Sequence, residues 1–312
     1  MPTLALVTAV AATGLDDDLA PLSDACRRAG FDTRCLAWDD ATVSWGRFDM
    51  VLLRSPWDYT ERYAEFLAWC QRIDQVSALL NPLAVIRWNT DKHYLAELAA
   101  AGVAVVASTF VEPDSEPLPA LQAFLARHDA ADFVVKPAIS AGSRDTQRYV
   151  RSQEFAASNH IARLLEEGRS VMLQPYLASV DSEGETALIY FDGQFSHAIR
   201  KGPLLRPEQG ATEALFAAEA ISPRDPAEDE RALADRVLRI AAASLRLNGP
   251  LSYARVDLIR DADNQPHLLE LELTEPSLFF AHAAGSAEDF ATRLAFRFAE
   301  LSATLARPAP DR

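Results

Sequence analysis

The stretch 267–280, "HLLELELTEPSLFF", places Glu270, Glu272 and Glu275 inside one of the most apolar runs of a 312-residue chain. Side chains of a strand alternate between two faces, so Leu269, Leu271 and Leu273 are expected to enter a core while Glu270 and Glu272 share the opposite face. "LSYARVDLI" (251–259) reads as a preceding strand and "RDADNQP" (260–266) as the turn between the two. A turn centred on Asp263 and Asn264 pairs Asp257 with Glu270 and Arg255 with Glu272 across an antiparallel hairpin. Directly opposed Cβ atoms lie about 4.5–5.5 Å apart, where like charges destabilise the pair. A cation is therefore expected between Asp257 and Glu270. Mg2+ suits the position, because it takes one or two carboxylates and fills its remaining sites with water and substrate phosphates. A solvated sheet face with an Arg255–Glu272 ion pair is the plainer alternative, and it leaves Asp257 and Glu270 unexplained.

Outward from the hairpin, the N-terminal part alternates strand and helix: "TLALVTAV" as a buried strand, "LAPLSDACRRAG" as an amphipathic helix, then strands "DTRCLAW" and "FDMVLLRS". That order predicts a small parallel α/β domain. Ligands of such sheets sit beyond the carboxyl ends of the strands, where "RSPWDYTERY" follows. Arg54, Ser55, Trp57, Asp58 and Tyr59 are the candidates for a substrate mouth there. Trp57 and Tyr59 capping a core, with Arg54 paired to Asp58, is the structural alternative. A helix from about Lys92 to Ala101, a strand-like "VAVVASTFV" and the linker "EPDSEPLP" follow. Beyond them the chain reads as strand "DFVVKPA", a helix over 152–168, strand "SVMLQPYL", and strands "TALIYF" and "QFSHAIRK" around a turn at Asp192-Gly193. Segment 202–230 reads as a mobile loop, and helices over 228–247 and 286–305 flank the carboxylate hairpin.

Composition narrows the function. The chain is 49% apolar and long enough for two or three fused domains. Its 45 acidic against 30 basic residues give a net charge of -15, which disfavours a nucleic-acid partner. No apolar run of membrane-spanning length occurs, and "MPTLALVTAV" lacks the basic flank of a signal peptide, so a cytoplasmic location with no membrane partner is expected. Cys26, Cys35 and Cys70 have no metal-ligand spacing and read as buried thiols.

Basic groups complete the pattern. The chain has only three lysines, Lys92, Lys136 and Lys201, beside 27 arginines. Each falls at an element end, and a compact ammonium suits a phosphate.

In order, these elements resemble the ATP-grasp superfamily of carboxylate-amine ligases over nearly the whole chain: a lysine before a helix (Lys92), a strand lysine with a small-residue loop ("KPAISAGS"), a strand ending "QPYL", and acids on two late strands. The resemblance implies an α/β ATP-grasp fold with a Rossmann-like first domain (1–88), a central subdomain (89–173) and a C-terminal subdomain carrying the metal site (174–312), the last two α+β and enclosing ATP. It also implies roles. Lys92, Lys136 and Ser143, within the flap 140–143, would meet the phosphates; Gln174, Pro175 and Leu177 would read adenine; Glu185, rather than Asp181, would hold the ribose. Asp257, Glu270 and Glu272 would bind Mg2+, with Arg255 and Lys201 catalytic and Arg54, Ser55, Trp57, Asp58 and Glu275 facing the substrate. Three features depart from the family: a single flap glycine, Gly142; Glu272 where Asn is common; and Thr186 and Ala187 where an arginine usually follows the ribose acid, a duty open to Arg200, Lys201 or Arg255.

"RSPWDY", "GQFSHAIRKGP" and "ELELTEPSLFF" look most like the branch that contains the ligase closing the D-cycloserine ring. That likeness implies ATP-driven activation of a small amino-acid substrate and attack by an amine, possible homodimerisation, and lids near 140–146 and 202–226. A peptide-type ligase and an ATP-binding regulator without turnover are the alternatives.

Overall fold

The computed structural model describes residues 1–206, 210 and 220–305. Three sheets organise it. The first contains β1 (Thr3–Thr8), β2 (Asp32–Ala37), β3 (Met50–Ser55) and β4 (Ala78–Leu80), all parallel in the order β2-β1-β3-β4. Every residue of β3 is buried, the pattern of a central parallel strand covered on both faces. Trp57 and Tyr59 follow its carboxyl end, as the reading of "RSPWDY" requires.

The second sheet is antiparallel, in the order β5-β8-β6-β7, from β5 (Thr109–Val111), β6 (Asp132–Pro137), β7 (Gln147–Val150) and β8 (Val171–Pro175). The expected break after residue 173 falls inside β8. Only Thr109–Val111 of "VAVVASTFV" is strand, the earlier Val105 making an isolated bridge to Leu268. Along β6, Phe133 and Val135 enter a core while the alternate residues Val134 and Lys136 face the other way.

The third sheet holds β9 (Glu185–Phe191), β10 (Gln194–Lys201), β11 (Ile221–Pro223), β12 (Tyr253–Arg260) and β13 (Pro266–Glu272), in the order β11-β10-β9-β12-β13. Asp192 and Gly193 turn β9 into β10 with φ of 49° and 72°, left-handed values suited to a tight hairpin. The expected loop 202–230 ends in β11 and the first turn of the helix Glu228–Ser244. Residues 207–209 and 211–219, which carry much of the lid expected over 202–226, lie outside the described residues.

The N-terminal and C-terminal parts share one core. Leu4, Leu52 and Phe31 of the first domain pack with Ile189, Phe191, Tyr253 and Phe290. Cys26 and Cys70 are buried, but Cys35 is exposed, against expectation, because its strand β2 lies at the edge of the first sheet. No helix among the described residues is long and apolar enough to cross a membrane.

Candidate active site

The hairpin pairs as the turn implies: Arg255 stands opposite Glu272, Val256 opposite Leu271 and Asp257 opposite Glu270. The register then shifts, Leu258 meeting Leu268, so that Leu269 is bulged out of the ladder. This changes one side-chain assignment. Leu268, Leu271 and Leu273 enter the core, whereas Leu269, expected there, turns to the cavity and packs with Val106, Leu177 and Ile259.

β13 is an edge strand, and its outward polar groups are taken by side chains and a neighbouring segment. Tyr94 hydroxyl donates to Leu271 O at 2.9 Å, Asn89 Nδ2 donates to the same carbonyl at 2.7 Å, and Leu273 N–H donates to Asn89 Oδ1 at 2.7 Å. Further along, Val106 N–H donates to Leu268 O at 2.9 Å. A pinned edge strand fixes where its carboxylates stand.

Those carboxylates line a cavity with about 1460 Å³ of atom-free space, its mouth included, between the second and third sheets and the first domain. Lys92, Lys136, Ser143, Gln174, Pro175, Leu177, Glu185, Lys201, Arg255, Asp257, Glu270, Glu272, Trp57 and Glu275 all reach it. Three of the residues expected at the substrate mouth do not. Arg54 is fully buried and donates from Nη2 to Pro276 O at 2.7 Å. Ser55 hydroxyl donates to Thr8 Oγ1 at 2.9 Å, and Asp58 accepts the Trp38 indole N–H at 2.8 Å. Arg54 and Ser55 end the fully buried strand β3, and Asp58 is turned toward Trp38 and Arg62, so only the aromatic residues between and after them reach the cavity.

Charges alternate along the cavity floor. Glu272 pairs with Arg255, whose Nε donates to Asp257 Oδ1 at 2.9 Å; Lys201 donates to Asp257 Oδ2 at 2.6 Å and lies 3.3 Å from Glu185. Lys92 is 3.0 Å from Glu270 and donates to Ser140 O at 2.8 Å, tying the flap to the carboxylate strand. Lys136 is buried and finds no ion-pair partner within 4.0 Å among the described residues. Burial lowers its pKa, with Lys92 and Lys201 adding to that effect and Glu270 opposing it.

The carboxyls respond differently to the same surroundings. Burial would raise Asp257, but Arg255 and Lys201 hold it at about 2. Glu270 is likewise held low by Lys92 and Lys136 against its burial. Glu272 is pushed up to about 8 by burial, with Asp257 and Glu270 adding to the push against Arg255. Glu275 rises to about 7, mainly by burial, although the Tyr59 hydroxyl hydrogen-bonds it.

Among the described residues no three acidic, His or Cys side chains form a ready cage for a metal. The donor set still fits magnesium, which needs only one or two protein carboxylates beside phosphate and water oxygens. Asp257 and Glu270 are opposed on adjacent strands, and both line the cavity, so a cation held there would meet carboxylate oxygens from both.

At the other end, Gln174 donates to Ser108 Oγ at 2.9 Å, and Val106, Tyr176, Leu177, Val180, Ile259 and Leu269 form an apolar slot suited to a flat ring. Ser108, Val106 and Leu269 escaped the sequence reading. The first two sit in a segment read as strand, and the bulge that exposes Leu269 leaves no mark in the alternation. In the flap, Gly142 and Ser143 have φ of 61° and 60°, and Ile139 and Ala141 pack against the first domain.

Residues 4–81 match the family model described as D-cycloserine synthetase DcsG, N-terminal domain. The chain is 47% identical over 298 residues to the cycloserine biosynthesis protein DcsG of Streptomyces lavendulae, covering 95% of this chain and 99% of that protein. It superposes on the crystal structure of D-cycloserine synthetase DcsG with a TM-score of 0.90 at 47% identity, over 95% of this chain and 99% of that one. A D-alanine–D-alanine ligase from Bacillus anthracis complexed with ATP shares the fold, with a TM-score of 0.59 at 13% identity over 98% of each chain.

Proposed function

The chain belongs to the D-cycloserine synthetase family of ATP-grasp ligases, and from that premise we propose that it closes the D-cycloserine ring from O-ureido-D-serine. It is an ATP-dependent ligase that forms a C–N bond. In this reading the substrate carboxylate takes the γ-phosphoryl group of ATP, and the ureido nitrogen of the N–O bond attacks the activated carbon within the same molecule and displaces phosphate. Water then removes the carbamoyl group of that nitrogen as carbon dioxide and ammonia to leave D-cycloserine.

The residues divide the work by position. The slot of Leu177 and Leu269 beside Gln174 and Pro175 would seat adenine, and Glu185 would hold the ribose. Lys92 and Lys136 would hold the phosphates under the flap that carries Ser143. Asp257 and Glu270, with Glu272 beside them, would hold Mg2+, which when bound supplies neutralisation of charge on the transferring phosphoryl oxygens. Lys201 and Arg255 would stabilise the negative charge that develops between phosphate and carboxylate. Trp57 and Glu275 would orient the amino acid, and a closed flap would keep water from the acyl phosphate.

One observation supports a small, self-cyclising substrate: Trp57, Tyr59 and Glu275 together wall the carboxylate end of the cavity, while Ile139 and Ala141 seat the flap on the first domain. Purified protein with Mg2+, ATP and O-ureido-D-serine should release ADP and yield D-cycloserine by mass spectrometry, with much less ADP from pairs of free amino acids. ADP release from amino-acid pairs alone would transfer the protein to peptide-type chemistry.

A further inference from the structure

Residues 274–278 carry Glu275 and Ser277 into the cavity wall, yet no backbone–backbone hydrogen bond forms within this stretch. Pro276 has no N–H to offer one. The loop's shape is imposed from outside. Trp57 Nε1 donates to Glu275 O at 3.2 Å, Arg54 Nη2 to Pro276 O at 2.7 Å, and Arg255 Nη1 to Ser277 O at 3.2 Å. Just beyond, the Asp18 carboxylate accepts the N–H groups of Leu278, Phe279 and Phe280 at 2.6, 3.0 and 3.0 Å. Phe279 has a φ of 54°, a strained value for a bulky residue that persists only where surroundings enforce it.

Arg54 is the unexpected member of this set. It is fully buried, and its Nε and Nη1 find no hydrogen-bond partner among the described residues. The Tyr253 ring lies 5.9 Å from its guanidinium carbon, and burial raises the pKa of Asp16 against the Arg54 charge that lowers it. A buried guanidinium with orphaned donors is costly, and its one good bond is to the carbonyl between the two cavity-lining residues.

We propose that Arg54 is a positioning residue for the amino-acid substrate: by holding Pro276 O from the first domain it fixes Glu275 and Ser277 in the cavity wall without itself reaching the cavity. The first domain thereby sets substrate affinity through the backbone of a loop it does not contain. The nucleotide end, across the cavity, does not depend on this contact. This inference rests on the ligase reading above.

The test measures KM for O-ureido-D-serine, Mg·ATP affinity by calorimetry, and hydrogen exchange of the 278–280 amides in the free protein. Arg54→Met should raise KM about tenfold or more with ATP affinity within about twofold of wild type, since small misplacements of binding groups cost large factors. Arg54→Lys, which keeps one donor for Pro276 O, should recover part of the loss, and exchange should quicken in the Met variant alone. An unchanged KM, or an equal loss of ATP affinity, overturns the proposal. Should Arg54→Met fail to fold, Asp18→Asn loosens the same loop from outside the cavity and must also raise KM. The exchange readout needs no substrate: a wild type inactive on O-ureido-D-serine would count against the substrate assignment, and unchanged 278–280 exchange in Arg54→Met would count against the clamp.

Discussion

Asp257 and Glu270 stand directly opposite each other on β12 and β13, and each carboxylate is held by a different lysine, Asp257 by Lys201 at 2.6 Å and Glu270 by Lys92 at 3.0 Å. Two like charges on facing strands persist because cations from β10 and from the segment before the Tyr94–Ala100 helix meet them separately. Both lysines keep an ion-pair partner, whereas Lys136 has none within 4.0 Å among the described residues. That inequality orders the expected effects of mutation.

Lys136→Ala should weaken Mg·ATP binding by about 1.5–3 kcal/mol, the range of a charge-assisted hydrogen bond, which is roughly ten- to more than a hundredfold in Kd. The free protein should melt no earlier than wild type, because the variant removes a buried cation with no ion-pair partner among the described residues. Calorimetry and a melting curve check both statements. Unchanged ATP affinity in the folded variant would remove Lys136 from the phosphate site.

The bulge in β13 makes neighbouring leucines unequal. Leu271→Ala should cost about 2–5 kcal/mol of stability, as deletions from a packed core do. Leu269→Ala should cost far less and instead weaken ATP binding, because Leu269 lines the apolar slot. Urea unfolding beside ATP titration separates the two, and equal stability losses would place Leu269 in the core after all.

Glu275 supplies a pH dependence. Its pKa is about 7 in the folded protein, against about 4.3 in an unfolded chain, so the folded state binds a proton that the unfolded state releases between those values. The stability this contributes is present below about pH 4.3 and is lost as pH rises through about 7. Glu275→Gln does not titrate. Its melting temperature should match that of wild type near pH 4 and exceed it by about 2–4 °C near pH 8. A difference that stays flat with pH would show Glu275 ionised throughout.

Much of this was readable before the structure. The turn residues Asp263 and Asn264 and the alternation of Glu with Leu specify the hairpin register through Glu270, because a slip by one residue would bury the carboxylates. The three lysines were legible from their scarcity and their positions at element ends, and all three reach the cavity. The bulge at Leu269 was not, since a one-residue insertion in the ladder leaves the alternation of residue types unaltered. Arg54 was misplaced for another reason: an arginine after a strand reads as exposed, and its burial depends on a loop more than two hundred residues later. Asn89 and Tyr94, which pin the edge strand, look like ordinary helix residues until β13 is seen beside them.

The central claim is that Asp257 and Glu270, facing each other across the hairpin, seat a magnesium nucleotide, and thermal denaturation of Glu270→Gln with and without Mg·ATP tests it most directly. Lys92 retains its bonds to Ser140 in this variant, so the free protein should remain folded. Wild type should gain about 2.7 kcal/mol of stability at a ligand concentration a hundred times Kd. The variant should lose most of that gain together with ADP release. A variant that keeps the full gain and still releases ADP would contradict the assignment and leave the hairpin as scaffold.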